Sequence, residues 1–420
     1  MSNKLYHSLW DDTNKVVFEP DSLEPSSSSS VVVIGGGILG VSTAYHLSRM
    51  GISTTLLEKH EIGFGGSGRN GGQVIPGLKY DPNVLDTMYG EETTKLVGEA
   101  ADFTFQLIQS LKLDCQAEQK GWVQSTCKTK HLDMLAKRTE QWSKRGVKAE
   151  LLDASEMSKR LGTEYFCGGW QDPRGGTLHP LNYVKSLACA AQQSGAKIIT
   201  QAEVVKWHKT SPNRLELADG TRLNADYVVL CCNAYTDELQ PDLKRSIIPA
   251  HSFQVATSQL TQEQLTNVLP TKVASSDTRR IGNYFRLSPD NRLMIGGRGS
   301  FREPNTTADF SELHNEISKI FPQLDGITFT HHWYGRVAMT ADHLPHIHKL
   351  TDTSLSAIGF NGRGVALTTR LGEALAQYIS KNTTLPMSIV PIKPFILHKL
   401  HPAYASIAIK YYRIMDSLES

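Results

Sequence analysis

A run of β-branched residues followed at once by closely spaced glycines is the feature that most restricts how this chain can fold. Val31–Ile34 is an unbroken apolar run, typical of a strand buried on both faces of a parallel sheet. The glycine-rich segment Gly35–Gly40 then leads into a predicted helix, Gly40–Met50. Gly51 ends that helix, and Ile52–Leu57 is predicted to be a second strand. The folded body therefore begins with a βαβ unit.

The glycine-rich segment has the spacing G-x-G-x-x-G, which binds dinucleotides when it joins a strand to a helix. Gly35 permits the tight turn, Gly37 lets the backbone approach a diphosphate without a Cβ, and Gly40 lets the helix pack closely on the strand. The helix N-terminus attracts the diphosphate through its N–H groups and its dipole. Glu58 ends the second strand, where a carboxylate would accept hydrogen bonds from ribose hydroxyls. A glycine-rich loop without a ligand is the alternative.

Two further glycine-rich stretches favour FAD over NAD, because the G-x-G-x-x-G spacing alone does not distinguish these two cofactors. Gly63–Gly72 follows Glu58 closely, and its repeated lack of Cβ atoms indicates backbone wrapped against a bulky planar group, with a flexible surface loop as the alternative. Near the C-terminus, Asn361–Gly364 joins a predicted strand, Leu355–Phe360, to a predicted helix, Val365–Ile379. That helix would aim a second N-terminus at the ligand, where its positive end stabilises reduced flavin.

Composition argues against several other classes of protein. The 420 residues carry a formal net charge of +2, from 44 basic and 42 acidic residues, so we expect no nucleic acid partner. No window approaches the roughly 18 consecutive apolar residues of a membrane helix, and the first residues lack the apolar core of a secretion signal. The six cysteines form no C-x-x-C pair, which favours reduced thiols and a cytoplasmic location. Cys231 and Cys232 are interpreted as two residues of one strand that face opposite sides.

The remaining segments predict an α/β fold, α+β overall, with a Rossmann-like FAD-binding domain and a second substrate domain built on a mostly antiparallel sheet. Residues 81–145 are helical in pattern, and residues 246–335 alternate between apolar and polar and include a hairpin. The predicted elements of the downstream body are a helix at Leu181–Ser194, strands at Lys197–Ile199, Val204–Trp207 and Asp226–Cys232, a helix after Asn233, and hairpin strands at Tyr284–Leu287 and Arg292–Ile295.

The predicted division of the chain is discontinuous. Residues 1–29 form an N-terminal arm whose end is the polar linker Ser26–Ser30. The FAD-binding domain comprises residues 30–80, 148–243 and 336–392, the substrate domain comprises residues 81–147 and 244–335, and residues 393–420 form a C-terminal tail. The tail is predicted to be an amphipathic helix that packs on the protein rather than on a membrane. Its apolar side consists of Tyr404, Ile407, Tyr411, Ile414, Met415 and Leu418.

Six motifs along the body resemble those of one enzyme family. They are Val31–Gly40, Glu58, Gly63–Gln73, Gly175–Pro180, Tyr284–Leu287 and Gly362–Gly364. They are similar to the D-amino-acid oxidase / glycine oxidase family of FAD enzymes, and within it to the γ-glutamylputrescine oxidoreductase branch, from about residue 30 to about residue 390.

The resemblance implies oxidation of a C–N bond in a small amine or amino acid. A hydride would leave the carbon that bears the amine for flavin N5, and the imine would hydrolyse to an aldehyde or keto acid. γ-Glutamylputrescine is the best substrate candidate, and L-pipecolate, other imino acids or a D-amino acid remain alternatives. The electron acceptor would be oxygen or a quinone, and the protein a monomer or homodimer. A flavin-binding regulatory subunit without turnover is the alternative from another class.

The resemblance also extends the predicted cofactor site. Relatives that attach FAD covalently use a cysteine in the stretch that corresponds to Trp333–Asp342, which contains none here, so we expect noncovalent FAD. No metal is expected, because His343, His346 and His348 have an irregular spacing and are interpreted as a solvated loop. The predicted cofactor-binding residues are Gly35, Gly37, Ile38, Leu39, Gly40, Glu58, Lys59, Ser67, Gly68, Arg69, Asn70, Gly71, Gly72, Val204, Asn233, Gly335, Gly362, Arg363, Gly364 and Val365.

Four residues are predicted to act on the substrate or the flavin ring. Arg69 follows the flavin-wrapping glycines and would lie near the ring or a substrate carboxylate, with an interdomain salt bridge as the alternative. His179 precedes Pro180 at a predicted helix start, and a satisfied buried histidine is its alternative. Tyr284 and Arg286 lie on one face of a strand that lines the substrate cavity in relatives. Arg286 would pair with a carboxylate, and plain strand pairing is the alternative.

Overall fold

The computed structural model describes residues 7–24, 27–381 and 383–418 and contains two eight-stranded sheets with helices around them. The strands are β1 Ser27–Ile34, β2 Thr54–Leu57, β3 Gln73–Val74, β4 Trp122–Thr126, β5 Glu150–Asp153, β6 Gly168–Asp172, β7 Gly176–Thr177, β8 Lys197–Ile199, β9 Val204–His208, β10 Asn213–Leu217, β11 Arg222–Leu230, β12 Ile248–Gln259, β13 Ala274–Asp277, β14 Tyr284–Leu287, β15 Arg292–Arg298, β16 Phe329–Met339, β17 His346–Thr351 and β18 Ser354–Ile358. The helices are α1 Leu9–Thr13, α2 Ile38–Arg49, α3 Gly66–Arg69, α4 Pro82–Tyr89, α5 Glu91–Leu111, α6 Leu132–Ser143, α7 Ala154–Leu161, α8 Pro180–Gln193, α9 Pro241–Arg245, α10 Gln262–Asn267, α11 Ser311–Ile320, α12 Gly364–Lys381 and α13 His401–Leu418.

The first sheet has the strand order β17-β18-β11-β1-β2-β8, with β10 and β9 added beside β11. The strand β1 pairs in parallel with both β2 and β11, so that Val33 lies between Leu56 and Val229. Val31 and Val33 enter one apolar core with the helices α2, α8 and α12, whereas Val32 and Ile34 enter another on the opposite face. The prediction of a doubly buried strand is thereby confirmed, because each face has its own layer to bury against.

The prediction of a polar linker at Ser26–Ser30 is wrong for Ser27 to Ser30, and Ser26 lies outside the described residues. These serines begin β1, and Ser27 pairs with Leu223 of β11. The Ser29 hydroxyl is buried and bonds to the Thr55 hydroxyl at 2.7 Å, so the strand extends by satisfying its polar groups locally. Composition alone does not reveal that a neighbouring strand is available to pair with.

The second sheet has the order β16-β12-β15-β14-β13-β4-β6-β5, and β13–β4 is its parallel pair. The predicted hairpin is confirmed, since Leu287 of β14 lies opposite Leu293 of β15. The prediction that residues 81–145 are helical misses β4, which lies inside this sheet. The strands β5 and β6 also belong here, although the predicted FAD-binding segment begins at residue 148, and β16 continues to Met339, beyond the predicted boundary at 336.

Three other predicted elements differ in the structure. The helix expected after Asn233 is a single 3-10 turn, Asn233–Tyr235. Cys231 and Cys232 follow the end of β11 rather than lying within it, and both thiols are free. His346 and His348 are not in a solvated loop: both belong to β17, and the buried His348 bonds through Nδ1 to the Val390 carbonyl at 2.8 Å.

The C-terminal tail forms the predicted helix, α13, but with the opposite face against the protein. Asp416 of α13 is buried and forms an ion pair with the buried Lys128 at 2.9 Å. Ile407 and Tyr411, predicted to pack on the protein, are exposed. No helix among the described residues is long and apolar enough to cross a membrane.

Candidate active site

A cavity of about 1310 Å³ lies where the carboxyl ends of the first sheet meet the second sheet. Ile34 and Leu230 contribute the ends of β1 and β11, and Ser252 and Gly335 contribute β12 and β16. Ligands of open α/β sheets bind at this edge, outside the carboxyl ends of the strands. Small-molecule pockets typically enclose roughly 300–1,000 Å³, so this cavity has room for a dinucleotide together with a small substrate.

The turn between β1 and α2 forms one wall of the cavity. Gly35 has φ of +114° and donates its N–H to the Leu57 carbonyl at 2.8 Å. A Cβ on Gly40 would lie 2.0 Å from the Gly35 carbonyl oxygen, so the close contact between helix and strand requires glycine there. Gly37 precedes α2 and its backbone faces the cavity, while the first N–H of the helix, that of Ile38, donates to the Ser67 hydroxyl at 2.9 Å. The positive end of the α2 dipole therefore lies at the cavity, where it favours an anionic ligand.

Glu58 lies at the end of β2, where the fingerprint predicts it. Its carboxylate accepts hydrogen bonds from the N–H groups of Gly36 at 2.6 Å and His60 at 2.8 Å, and it lines the cavity. Beside it, Lys59 forms an ion pair with Glu203 at 2.6 Å. The Glu58 carboxylate is thereby fixed at the position where ribose hydroxyls would meet it.

The second glycine-rich stretch is a compact turn rather than a flexible loop. A Cβ on Gly65 would lie 2.8 Å from the Tyr235 ring, and one on Gly71 would lie 2.8 Å from the Tyr284 ring. The Asn70 side chain fixes the turn, since its amide nitrogen donates to the Ser67 carbonyl at 2.8 Å and its oxygen accepts from the Gly72 N–H at 2.8 Å. The segment can therefore present its backbone to a flat group without rearranging.

A second helix N-terminus reaches the same cavity. Gly362, Gly364 and Val365, at the start of α12, line it, and α12 packs against α2, where a Cβ on Gly372 would lie 2.4 Å from the Ser42 hydroxyl. The Arg363 side chain points neither into the cavity nor to solvent. It donates to the Pro76 carbonyl at 3.2 Å and lies 4.9 Å from the Trp122 ring centre, and burial lowers its pKa to about 10. Only the backbone of this loop is available to a ligand.

Most of the predicted cofactor-binding residues come together around this cavity. Gly40, Gly68, Gly72 and Arg363 lie behind its wall, where the three glycines permit close backbone contacts. The predicted residues that line it are Gly35, Gly37, Ile38, Leu39, Glu58, Lys59, Ser67, Arg69, Asn70, Gly71, Val204, Asn233, Gly335, Gly362, Gly364 and Val365.

The second sheet supplies the polar wall that faces the glycine-rich turn. The Tyr284 hydroxyl bonds to the Ser252 hydroxyl at 2.8 Å, and both residues line the cavity. Arg336 donates to Glu303 at 2.8 Å, and this half-exposed ion pair also lines the cavity. Arg69 lies between the two walls and donates from Nε to the Phe64 carbonyl at 2.9 Å. Charged groups of both signs are thus held on the substrate-domain side.

Two of the four residues predicted to act on the substrate lie outside the cavity. Arg286 is 2% exposed and donates to the carbonyl oxygens of Gly72 at 2.8 Å and Leu178 at 2.9 Å. His179 is 1% exposed, accepts the Asn182 N–H at the start of α8, and bonds to Thr13 at 3.0 Å. Burial and the neighbouring Arg286 lower its pKa to about 4. The contacts of His179 correspond to the satisfied buried histidine considered from the sequence, whereas the contacts of the Arg286 guanidinium with two loop carbonyls differ from the plain strand pairing considered there.

Comparison with known proteins agrees with this geometry. Residues 30–378 match the family of FAD dependent oxidoreductases called DAO. The chain belongs to this family.

Individual relatives of the DAO family cover almost the whole chain. It is 29% identical over 409 residues to γ-glutamylputrescine oxidoreductase of Escherichia coli, covering 95% of each chain. It is 30% identical to a probable oxidoreductase of Haemophilus influenzae, covering 89% of this chain and 88% of the relative. Among solved structures, glycine oxidase from Geobacillus kaustophilus shares the fold with a TM-score of 0.74 at 19% identity, covering 88% of this chain and 99% of that one.

The DAO cofactor fits the residues present. A dinucleotide needs a Cβ-free approach at Gly37, a carboxylate at Glu58 and helix N-termini for its phosphates, and all of these face one cavity. Two thiols also line it, but burial raises the pKa of Cys231 and Cys232 well above the ordinary value. Both thiols therefore stay protonated and are poor nucleophiles.

The sequence analysis missed several residues that line the DAO cavity. Tyr235 and Phe64 flank Gly65, and Glu303 pairs with Arg336 across a long sequence separation. The N-terminal arm was also treated as separate from the body, yet Trp10 is fully buried and its Nε1–H donates to the Asn70 carbonyl at 2.8 Å. A lone tryptophan in a polar arm was the one available signal, because a large apolar side chain there needs a surface to pack against.

Proposed function

We propose that this protein binds FAD noncovalently and oxidises the C–N bond of a substrate that carries both an amine and a carboxylate, with γ-glutamylputrescine as the best candidate. The observation that carries the proposal is the Arg336–Glu303 pair, which places opposite charges on the cavity wall facing the glycine-rich turn. The carboxylate of a substrate can pair with Arg336 in place of Glu303, and its ammonium group can pair with Glu303 in place of Arg336.

The charge on Glu303 suits an ammonium group. The hydrogen bond from Arg336 holds the pKa of Glu303 below its ordinary value, so the carboxylate is ionised at neutral pH. Arg336 presents a planar guanidinium, which binds a carboxylate through two parallel hydrogen bonds. We infer that Arg336 binds the substrate carboxylate and that Glu303 guides the cationic end of the substrate into the cavity.

The remaining residues position the reacting groups. When bound, FAD supplies the acceptor for the hydride that leaves the amine-bearing carbon. The glycine-rich turn at Gly65 and Gly71 supports a flat ring from one side, and Tyr284 closes the cavity near it. Burial raises the pKa of Tyr284 to about 12, so its phenol remains a neutral hydrogen-bond donor and orients the substrate rather than removing its proton.

The similarity to γ-glutamylputrescine oxidoreductase of Escherichia coli supports this choice of substrate. γ-Glutamylputrescine carries the α-carboxylate and α-amino group of its glutamyl part at one end and a second primary amine, the one to be oxidised, at the other. An imino acid or a D-amino acid carries the carboxylate and the amine to be oxidised on one carbon, and would occupy only the part of the cavity near Arg336.

An anaerobic titration of the purified FAD-loaded protein with γ-glutamylputrescine, L-pipecolate and D-alanine tests the proposal, with the visible flavin spectrum as the readout. We expect rapid bleaching by γ-glutamylputrescine and slow or no bleaching by the others. Bleaching by L-pipecolate or D-alanine alone would keep the C–N oxidation and refute the substrate. If none of a wider panel of amines reduces the flavin, the oxidation itself is refuted. Hydrogen peroxide yield in air then separates an oxidase from a dehydrogenase.

Arg336→Gln provides the test of the anchor. It should raise the concentration of γ-glutamylputrescine needed for half-reduction by about 10- to 150-fold, since a lost charged hydrogen bond costs roughly 1.5–3 kcal/mol. Reduction by putrescine, which has no carboxylate, should change little. Arg302→Gln is the matched control, because Arg302 is 77% exposed on the same loop as Glu303. Equal effects of the two substitutions would contradict the role of Arg336.

A further inference from the structure

Exposed apolar side chains are concentrated at the C-terminal end of the chain. Among the described residues, 14 large apolar side chains are exposed, and nine of them lie between residues 389 and 414. Ile396 is 99% exposed and Ile407 is 68% exposed. These nine residues form what we call the C-terminal apolar surface: Ile389, Ile396, Leu397, Leu400, Tyr404, Ile407, Tyr411, Tyr412 and Ile414.

The helix α13 presents four residues of this surface on one side. Tyr404, Ile407, Tyr411 and Ile414 are spaced three or four residues apart, which places them on one face of a helix. Side chains on the opposite face attach the helix to the protein, among them the buried Ile409 and Asp416. The apolar face is therefore not the one that α13 buries in this protein.

Ion pairing fixes the orientation of α13. The Asp416 carboxylate accepts from the Lys128 ammonium at 2.9 Å and from the Ile281 N–H at 3.2 Å, and Arg280 lies 3.5 Å away. Lys128 is 2% exposed. Rotating the helix to bury Ile407 would separate this buried pair and leave two charges without their partners, which is strongly unfavourable. The outward position of the apolar face is therefore maintained by electrostatics.

The charges of the C-terminal segment are mostly positive. Residues 389–420 contain four basic residues, Lys393, Lys399, Lys410 and Arg413, and two acidic residues, Glu419 and the buried Asp416. Lys393 and Lys399 are exposed beside these apolar side chains. Such a combination complements an anionic lipid bilayer, in which apolar side chains enter the boundary of the acyl chains and basic residues meet the headgroups. Three tyrosines belong to the surface, and tyrosine is enriched at membrane–water interfaces.

We propose that the C-terminal apolar surface binds the headgroup region of an anionic lipid bilayer. The C-terminal apolar surface adjoins the wall of the cavity. His401 at the start of α13 packs against Phe301, with ring centres 6.0 Å apart, two residues before Glu303 of the cavity. His398 bonds to the Ile247 carbonyl at 2.9 Å, at the start of β12. Binding to a bilayer would therefore bring one edge of the cavity wall close to the lipid.

Co-sedimentation of the full-length FAD-loaded protein with vesicles tests this proposal and requires no turnover, so its result is independent of the substrate. We expect binding to vesicles of equal parts phosphatidylcholine and phosphatidylglycerol, at least about tenfold weaker binding to pure phosphatidylcholine, and weakening by salt. No binding to the anionic vesicles would overturn the proposal. Equal binding to both vesicle types would also overturn it, because the charge argument would then have failed.

A double substitution, Ile407→Glu with Tyr411→Glu, should lower the bound fraction on anionic vesicles at least about tenfold, since it removes apolar contacts and adds negative charge. Val205→Glu is the control, because Val205 is 54% exposed on β9, away from this surface, and it should bind like the unmodified protein. An unchanged flavin spectrum verifies folding of each variant. If the unmodified protein sediments as a dimer without vesicles and the double variant as a monomer, the surface is a self-association site and the lipid proposal is wrong.

Discussion

Replacement of Arg286 by methionine distinguishes a structural role of this guanidinium from a role in substrate binding. Its Nη1 group donates to the carbonyl oxygens of Gly72 and Leu178, and its Nε donates to the Leu287 carbonyl at 3.0 Å. Gly72 ends the glycine-rich turn that faces the cavity. Burial lowers the pKa of Arg286 to about 9, so the charged form is held at a cost that the three hydrogen bonds offset.

The expected loss of stability follows from these contacts. The Leu178 carbonyl would lose the guanidinium in a buried site, which costs about 1–3 kcal/mol. The Gly72 carbonyl still accepts a hydrogen bond from the Leu178 N–H at 2.8 Å, so losing the bond from the guanidinium there costs about 1 kcal/mol. Losing the bond to the Leu287 carbonyl costs about the same. Removing a buried charge returns roughly 1 kcal/mol or more. The net destabilisation is therefore about 2–4 kcal/mol, which for a chain of this length lowers Tm by roughly 2–5 °C.

Thermal unfolding and FAD binding together provide the assay. Because the glycine-rich turn loses its anchor at Gly72, we expect Arg286→Met to weaken FAD binding by about tenfold, which corresponds to about 1.4 kcal/mol. Arg222→Met on β11 is the control, since the Arg222 side chain is 75% exposed and its one ion pair, with Glu216, is 3.6 Å long. It should lower Tm by less than about 1 °C.

The opposite pattern would refute this reasoning. If Arg286 bound the substrate carboxylate, as the sequence first predicted, then Arg286→Met would leave Tm and FAD affinity unchanged. It would instead raise the substrate concentration for half-reduction by about 10- to 150-fold. Measuring the three quantities on one preparation separates the two roles.

Three further predictions follow from single contacts. Gly37→Val should lower the FAD content of purified protein at least about tenfold. A Cβ at this position would lie 2.8 Å from the Ser67 hydroxyl, and the valine methyl groups would occupy the space where the diphosphate meets the backbone. A normal flavin spectrum would contradict this. Since burial raises the pKa of Tyr284 to about 12, Tyr284→Phe should lower the reduction rate without changing its pH profile between about pH 6 and 10, and a vanished basic limb would count against a neutral phenol. Burial alone would raise the pKa of Asp416, but the bond from Lys128 and the backbone N–H donors hold it below its ordinary value. Its stabilising effect is therefore present above the ordinary pKa and is lost as pH falls through the lowered one. The amide hydrogens of residues 401–418 should therefore lose protection, relative to their intrinsic exchange rates, in acid and, in Asp416→Asn, already at pH 7.

The sequence by itself determined the nucleotide-binding half of the site. Val31–Ile34, the glycines up to Gly40 and Glu58 are close in the chain, so their geometry follows from local turn, helix and strand preferences. The hairpin Tyr284–Leu287 with Arg292–Ile295 was predictable for the same reason. Similarity of motifs then identified the family, which the comparisons confirm.

Tertiary packing decided which side chains face the cavity. Tyr284 and Arg286 share a strand face, yet one lines the cavity and the other lies behind its wall, because Gly72 and Leu178 place carbonyl oxygens where the longer side chain can reach them. The pairing of Arg336 with Glu303 likewise joins groups that are distant in sequence. No local pattern encodes such contacts.

The orientation of α13 was also decided by the tertiary structure. An amphipathic pattern specifies that a helix has an apolar face, but whether that face is buried depends on what the rest of the protein offers it. Here the buried Lys128 attracts Asp416 and holds the other face against the protein, so Ile407 and Tyr411 remain outside. A buried charge that requires its partner therefore outweighed the burial of apolar side chains.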